Sequence, residues 1–214
     1  MSSRNYGQAC SVARFLDLLG SRWTLLIVRD LLARPRRFKE LLASAPSMGP
    51  NLLTVRLRDL GHEGIVKKVS PTNEAEHYEL TKKGHGLEPV IHEIVRWSLK
   101  HIEVDPDSPG VSRPDLLVVA LRALFDPDRA PDVTENYEFR VDDVVFHLNM
   151  SKGKLETEFG RCPDAAFTLE TSAAVLDQLG TGIIDIETAL ERGLATVVGD
   201  EAAFERFATT FSQV

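Results

Sequence analysis

The spacing of apolar residues predicts a helical first half and a mixed second half. In the first half, apolar residues recur at the three- and four-residue spacing of amphipathic helices, and two short alternating segments indicate strands. The predicted helices are 11–19, 23–33, 38–45, 50–63 and 83–102, and the predicted hairpin strands are 65–69 and 77–80. Three short helices, a further helix, a hairpin and a long helix form the order typical of a winged helix-turn-helix domain.

The second half predicts an α+β domain with a sheet covered by helices. The predicted strands are 137–141, 144–150, 154–159, 166–170 and 194–198, and the predicted helices are 114–125, 172–179, 185–191 and 201–211. A Pro-, Gly- and Asp-rich stretch between the halves is typical of a linker. We therefore predict an α+β protein with domains at 1–104 and 113–214, joined by a linker at 105–112.

Charge divides the chain at the same place. Residues 1–104 hold 16 Lys and Arg against 11 Asp and Glu, whereas residues 105–214 hold 9 against 21, so the net charges are +5 and −12. A phosphate backbone attracts the first half and repels the second. Chance variation in an acidic protein is the alternative, and a difference of this size makes it less favoured.

Composition excludes several other classes of protein. No apolar run approaches the roughly 18 residues of a membrane span, and the polar N-terminus lacks the apolar core of a signal peptide. The two cysteines do not form a disulfide framework. These features predict a cytoplasmic protein without a membrane partner.

The fourth helix carries the pattern that indicates DNA binding. Leu53, Leu57 and Leu60 fall on one face and must point to the core. The candidates for contact with base edges lie on the opposite, outer arc of the helix or beside it: Asn51, Thr54, Val55, Arg56 and Arg58. Asn suits adenine, Arg suits guanine, and Thr or Val suits the thymine methyl group. An ordinary amphipathic helix with a solvated polar face is the alternative.

Basic residues on either side of this helix are candidates for phosphate contacts. Arg36, Arg37 and Lys39 stand at the start of the preceding helix, and Lys67 and Lys68 border the hairpin. Together with the charge division, they favour double-stranded DNA as the partner.

Several motifs in the first half resemble the HxlR-type winged-helix regulators, which are relatives of the MarR group. The motifs are CSVARFLDLLGSRWTLLIVRDL at 10–31, RFKEL at 37–41, NLLTVRLRDL at 51–60, GIV at 64–66 and YELTKKG at 78–84. The resemblance implies a homodimer paired through its N-terminal and post-hairpin helices, with one recognition helix in each half-site of a palindromic operator. It also implies a transcriptional regulator, and a repressor is the form we predict.

Cys10 matches the position at which some of these regulators sense oxidants, quinones or aldehydes. A thiol sensor needs thiolate character and access to solvent. Arg14, one helical turn later, could stabilise a thiolate. The opposing interpretation, a small buried helix residue, is slightly favoured because free cysteine is commonly buried.

The second half resembles the sterol-carrier-protein-like fold. The resemblance covers about 114–213, and the motifs that carry it include CPDAAFTLET at 162–171 and ALERGLATVVGD at 189–200. This resemblance implies an apolar or lipid ligand in some members and an accessory role in others. A domain of this size needs most of its apolar side chains for a core, so a filled core is the default. A lipid or small-ligand carrier with an accessory basic domain is therefore kept as an alternative function.

The sequence carries no motif of an enzyme, so we predict neither catalytic residues nor a cofactor. His85, Glu88 and His92 could share one helix face and bind a metal, but polar surface residues are the ordinary interpretation of such a pattern. Asp142 and Asp143 are interpreted as a hairpin turn rather than a catalytic pair. We therefore predict no metal site.

Overall fold

The computed structural model describes residues 6–72, 75–102, 113–180 and 182–211. The chain divides into two compact units, Met1–Ile91 and His92–Val214. The predicted linker 105–112 lies outside the described residues, so the predicted domain boundary stays a prediction. Among the described residues, none of the helices is both long enough and apolar enough to cross a membrane.

Helices make up most of the N-terminal half. Their bounds are α1 Ser11–Leu19, α2 Thr24–Ala33, α3 Phe38–Ala43, α4 Pro50–His62, α5 Lys82–His85 and α6 Glu88–His101. Helix α2 begins at Thr24, one residue later than predicted. Trp23 stands at its N-cap in the left-handed conformation, with a φ of 78°.

The predicted long helix after the hairpin is divided into α5 and α6. Thr81 caps α5, since its hydroxyl oxygen accepts a hydrogen bond from the Gly84 N–H. The helix then ends at Gly86, and α6 begins at Glu88. Pro89 explains the interruption, because proline has no N–H and its ring clashes with the carbonyl four residues earlier.

The hairpin is a two-stranded antiparallel sheet of β1 Val66–Val69 and β2 His77–Leu80. Arg36 extends it through an isolated bridge to Tyr78, in which each residue donates its backbone N–H to the other's carbonyl, at 3.0 and 2.7 Å. The segment between α2 and α3 is thereby fixed to the edge of the hairpin.

The C-terminal half contains a five-stranded sheet. After a short 3-10 turn at Pro114–Leu116, its elements are α7 Leu117–Leu124, β3 Thr134–Val141, β4 Val144–Ser151, β5 Lys154–Phe159, β6 Phe167–Thr171, α8 Ala173–Gly180, α9 Ile186–Glu191, β7 Ala195–Gly199 and α10 Glu201–Phe211. The strand order is β5-β4-β3-β6-β7, in which the β3–β6 pair is parallel and the other pairs are antiparallel. The predicted α+β class is confirmed at this level, whereas the sterol-carrier-like fold stays a prediction.

One face of this sheet is built from aromatic side chains. The ring centroids of Phe139 and Phe146 lie 5.0 Å apart, and those of Tyr137 and Phe167 lie 4.8 Å apart. Phe207 of α10 packs against Tyr137, Phe139 and Phe167. Because all five rings are buried, they fill the space between the sheet and α10.

The other face of the sheet is polar, and residues 160–166 cross it. This segment joins β5 to β6, which are separated in the sheet by β4 and β3. Its hydrogen bonds mark the path: the Gly160 N–H donates to the Val145 carbonyl, and the Cys162 N–H donates to the Glu138 carboxylate. The crossing leaves Glu138 buried, with the Arg140 Nε donating to its other oxygen at 2.7 Å.

Candidate nucleic-acid interface

Helix α4 has an inner apolar face and an outer polar face, as predicted. Leu53, Leu57 and Leu60 are buried, which fixes the rotation of the helix about its axis. Pro50 occupies the first turn, where its missing N–H costs no helical hydrogen bond. Gly64, in the left-handed conformation with a φ of 65°, follows the helix end.

The outer residues of α4 differ in their exposure. Asn51, Thr54 and Arg58 are exposed, whereas Val55 and Arg56 are half-buried. The Thr54 hydroxyl donates to the Pro50 carbonyl at 2.9 Å, so its position is fixed by the helix itself. The three exposed side chains are therefore the ones best placed to reach a partner.

Arg56 and Arg58 share an acidic neighbour. Asp59 lies 3.7 Å from a guanidinium nitrogen of each. The Arg56 Nε is buried and has no hydrogen-bond partner within the described part of the chain. Arg56 therefore lies against the side of the helix, as predicted, and Arg58 projects further.

The start of α3 presents two exposed basic residues, Arg37 and Lys39. Glu40 holds this end of the helix, since its carboxylate accepts the Arg37 N–H and the Arg34 guanidinium, each at 2.7 Å. Burial would raise the pKa of Glu40, but these two donors and the charge of Arg36 outweigh it and lower the pKa. The ionised carboxylate thus fixes the backbone that carries Arg37 and Lys39.

Arg36 differs from its neighbours because its side chain is turned inward. Only 4% of the residue is exposed, and its Nε donates to the Asp30 carbonyl at 3.5 Å. The backbone bridge to Tyr78 explains this orientation, because it places Arg36 in the edge of the hairpin sheet. This geometry suits a structural role better than the predicted phosphate contact.

Each of the two hairpin lysines faces a carboxylate in β2 or immediately before it. The Lys67 Nζ lies 2.6 Å from Glu79, and the Lys68 Nζ lies 2.7 Å from Glu76. The hydrogen bond from Lys68 lowers the pKa of Glu76, with a contribution from Ser70, and the same pair raises the pKa of Lys68. Both lysines remain about half exposed, so they can still reach the surface of a partner.

Three residues that position α4 were missing from the predicted site. The Lys83 Nζ donates to the Glu63 carbonyl and the Thr81 hydroxyl donates to the Gly64 carbonyl, both at 2.6 Å. A Cβ on Gly84 would lie 2.2 Å from the Ile65 carbonyl oxygen. The TKKG segment thus holds the end of α4 and the start of β1. Its combination of a cap residue, a lysine and a glycine is the sequence pattern from which this role could have been predicted.

Comparison with known proteins assigns this half of the chain. The model of the HxlR-like helix-turn-helix family matches residues 18–106. The uncharacterized HTH-type transcriptional regulator YvaP of Bacillus subtilis is 38% identical over 90 residues, which are 41% of this chain and 83% of YvaP. The chain belongs to the HxlR-like helix-turn-helix family.

A second relative is similar to the same half of the chain. The HTH-type transcriptional regulator YodB of B. subtilis is 37% identical over 84 residues, which are 38% of this chain and 75% of YodB. The structure of the reduced form of YodB is 31% identical, covers 45% of this chain and 97% of YodB, and has a TM-score of 0.39. The HxlR-like match contains α4 and the hairpin, whereas Cys10 and the five-stranded sheet lie outside residues 18–106.

Cys10 is exposed, which differs from the slightly favoured expectation of a buried residue. It stands at the N-cap of α1, outside the helix, and its Sγ accepts a hydrogen bond from the Ala13 N–H at 3.3 Å. Cys162 is only partly exposed. Among the described residues, His, Cys, Asp and Glu form no group that could hold a metal ion.

Proposed function

We propose that this HxlR-like regulator binds a palindromic operator as a dimer and represses transcription. The observation that carries the proposal is the geometry of α4. Its leucine face is buried, so Asn51, Thr54 and Arg58 are presented together on the outside. An Asn, a Thr and an Arg along the outer face of a helix suit the base edges of a major groove.

Exposed apolar side chains on two helices support the dimer. Val12 and Leu16 of α1 are exposed. Val90, Ile94 and Trp97 of α6 are exposed as well. Exposed apolar groups on α1 and α6 favour pairing through these helices, as the family resemblance implies.

The phosphate contacts that we propose come from two places. Arg37 and Lys39 are exposed at the start of α3, and Lys67 and Lys68 are exposed on the hairpin. These residues would fix the orientation of the protein without reading sequence. We leave Arg36 out of this set because its side chain is buried.

The test compares binding of the purified full-length protein to DNA from its own upstream region and to random DNA, across a salt series. Arg58→Ala should weaken operator binding by about 1–3 kcal/mol if Arg58 contacts a base. Arg192→Ala, at an exposed position in the C-terminal half, is the matched control. An equal loss on both DNAs would make Arg58 a phosphate contact instead, and no salt-dependent binding to either DNA would refute the proposed function.

We do not extend the proposal to an apolar effector or to a carrier function. The interior of the C-terminal unit, where such a ligand would lie, is occupied by packed rings, among them Phe139, Phe146 and Phe207. This packing supports a filled core.

A second candidate function is thiol sensing through Cys10. The exposure of Cys10 and its place at a helix N-terminus favour it, because both features suit a reactive thiol. Hydrogen peroxide should release DNA from the wild-type protein and from Cys162→Ser, but not from Cys10→Ser. If Cys10→Ser is released equally, this candidate is eliminated while the DNA-binding proposal stands.

A further inference from the structure

The hairpin and the outer face of α4 hold acidic residues beside their basic ones. Glu79 lies directly opposite Lys67 in the strand register, and their charged groups are 2.6 Å apart. Glu76 lies 2.7 Å from Lys68. On α4, Asp59 lies 3.7 Å from Arg56 and equally far from Arg58, which is one of the proposed DNA contacts.

The start of α3 provides a contrast within the same unit. Arg37 and Lys39 are exposed, and within the described ranges neither forms an ion pair. Glu40 is the nearest acidic residue in sequence, but its carboxylate is occupied by Arg34 and the helix end. The pairing is therefore a property of the hairpin and of α4, not of every basic residue on this half.

A phosphate that contacts a paired lysine shares the ammonium group with the carboxylate beside it, and the two anions compete for its charge. When the phosphate replaces the carboxylate, that carboxylate becomes solvated, stays close to the DNA and repels it. It also attracts a cation from solution, which offsets part of the counterion release that drives DNA binding. Each acidic partner should therefore reduce both the affinity and its dependence on salt.

We infer that Asp59, Glu76 and Glu79 attenuate DNA binding: Glu76 and Glu79 compete with DNA phosphates for Lys68 and Lys67, and Asp59 competes with DNA for Arg58 and repels its phosphates. The inference rests on the proposed function and deepens it. Because phosphates are the same in every sequence, the attenuation acts equally on operator and on random DNA. Its consequence is a short residence on non-operator DNA, where phosphate contacts supply essentially all of the affinity.

A purely structural role for these carboxylates leads to opposite results. If the pairs only hold the hairpin in shape, their removal loosens the hairpin and weakens DNA binding. If Asp59 instead accepts a hydrogen bond from a cytosine, Asp59→Asn changes operator binding and leaves random DNA unaffected. The three roles therefore differ in the sign of the change in DNA affinity, or in whether that change depends on the DNA sequence.

The experiment measures binding of the full-length protein to operator and to random duplex DNA across a salt series. The variants are Glu79→Gln, Glu76→Gln and Asp59→Asn, which remove one negative charge each. Glu156→Gln is the matched control, because it makes the same charge change at an exposed position of the five-stranded sheet. Melting temperatures of all four variants show whether each is folded.

We expect each interface variant to bind both DNAs about 1.5- to 5-fold more tightly at low salt, with a salt slope steeper by about 0.9. The gain should disappear at high salt, and the control should match the wild type. Unchanged or weaker binding by the interface variants, while the wild type binds DNA, overturns the inference alone. A wild type that binds neither DNA refutes the proposed function and the inference with it.

Discussion

The β1–β2 and β3–β4 hairpins are both antiparallel, but different forces hold their strands together. In β1–β2, Lys67 lies opposite Glu79, and the cross-strand contact is a partly exposed ion pair. In β3–β4, Phe139 lies opposite Phe146, and the contact is a buried aromatic stack. Exposed ion pairs contribute little to stability, whereas buried aromatic pairs contribute a great deal.

The difference shows how one motif can serve two purposes. The β3–β4 hairpin specifies the core, because a slip of one residue would move every aromatic ring to the polar face. The β1–β2 hairpin has few buried groups, and Arg36 adds order by pairing its backbone with Tyr78. The hairpin that we propose to meet DNA is thus the one whose charged groups can be rearranged at small cost.

The largest expected effect is on the aromatic hairpin. Phe139→Ala should lower the free energy of unfolding of the C-terminal unit by about 3–5 kcal/mol, because it leaves a cavity among packed rings. Urea denaturation followed by circular dichroism measures the change. Val145→Ala, on the polar face of the same hairpin, is the control. A similar loss in both variants would break the contrast between the two faces.

The next effect concerns Gly84, in the segment that holds the end of α4 and the start of β1. Gly84→Ala should cost about 1–3 kcal/mol, because a Cβ would lie 2.2 Å from the Ile65 carbonyl oxygen and the backbone must shift. Gly61→Ala is the matched control, since its Cβ would meet nothing closer than 3.8 Å and alanine favours a helix. Equal melting temperatures of the two variants would refute the close approach.

The next prediction concerns Glu138, on the polar face of the five-stranded sheet. Burial would raise its pKa, but the Cys162 N–H and the charges of Arg140 and Arg161 outweigh it and lower the pKa. The carboxylate therefore stabilises the fold above its unfolded pKa near 4.5, and this contribution is lost as the pH falls through the folded pKa.

Glu138→Gln should accordingly cost about 1–2 kcal/mol at neutral pH. The difference from the wild type should narrow as the pH falls below about 4.5. Urea denaturation at a series of pH values measures both effects. A difference that is constant with pH would show that the charge of Glu138 does not matter.

The smallest effect is expected at the exposed pair of Lys68 and Glu76. Glu76→Gln should leave the melting temperature unchanged, since both side chains are exposed and the pair is screened by salt. Differential scanning calorimetry at low and high salt checks this. A clear destabilisation at low salt would show that this ion pair stabilises the β1–β2 hairpin, as the aromatic pair stabilises β3–β4.

The sequence predicted most elements of the C-terminal half because their signals are local. Strands alternate apolar and polar residues, and Asp142 and Gly153 take the left-handed conformation at the turns between them. The parallel pairing of β3 with β6 has no such signal, because it depends on which distant strands meet. In the N-terminal half, the break between α5 and α6 was missed, although Pro89 marks it.

The candidate site was predictable where burial determines orientation. Leu53, Leu57 and Leu60 fix the inner face of α4, and the outer residues follow from helix geometry. The inward side chain of Arg36 could not be predicted, because it results from a bridge to Tyr78 that is distant in sequence. The same holds for the pairs of hairpin lysines with carboxylates, since they depend on the strand register.

We expect the segment 160–166 that crosses the polar face to impose an order of folding. The meander β3–β4–β5 closes through two short turns, whereas β6 reaches its place only after the chain has passed over two strands. Contacts between distant residues form late because their loop closure costs more entropy. Until β6 pairs with it, one edge of β3, the strand that carries Tyr137 and Phe139, has unpaired backbone N–H and C=O groups. A second chain could pair with that edge, so the speed of the crossing determines how long a newly made molecule is exposed to aggregation.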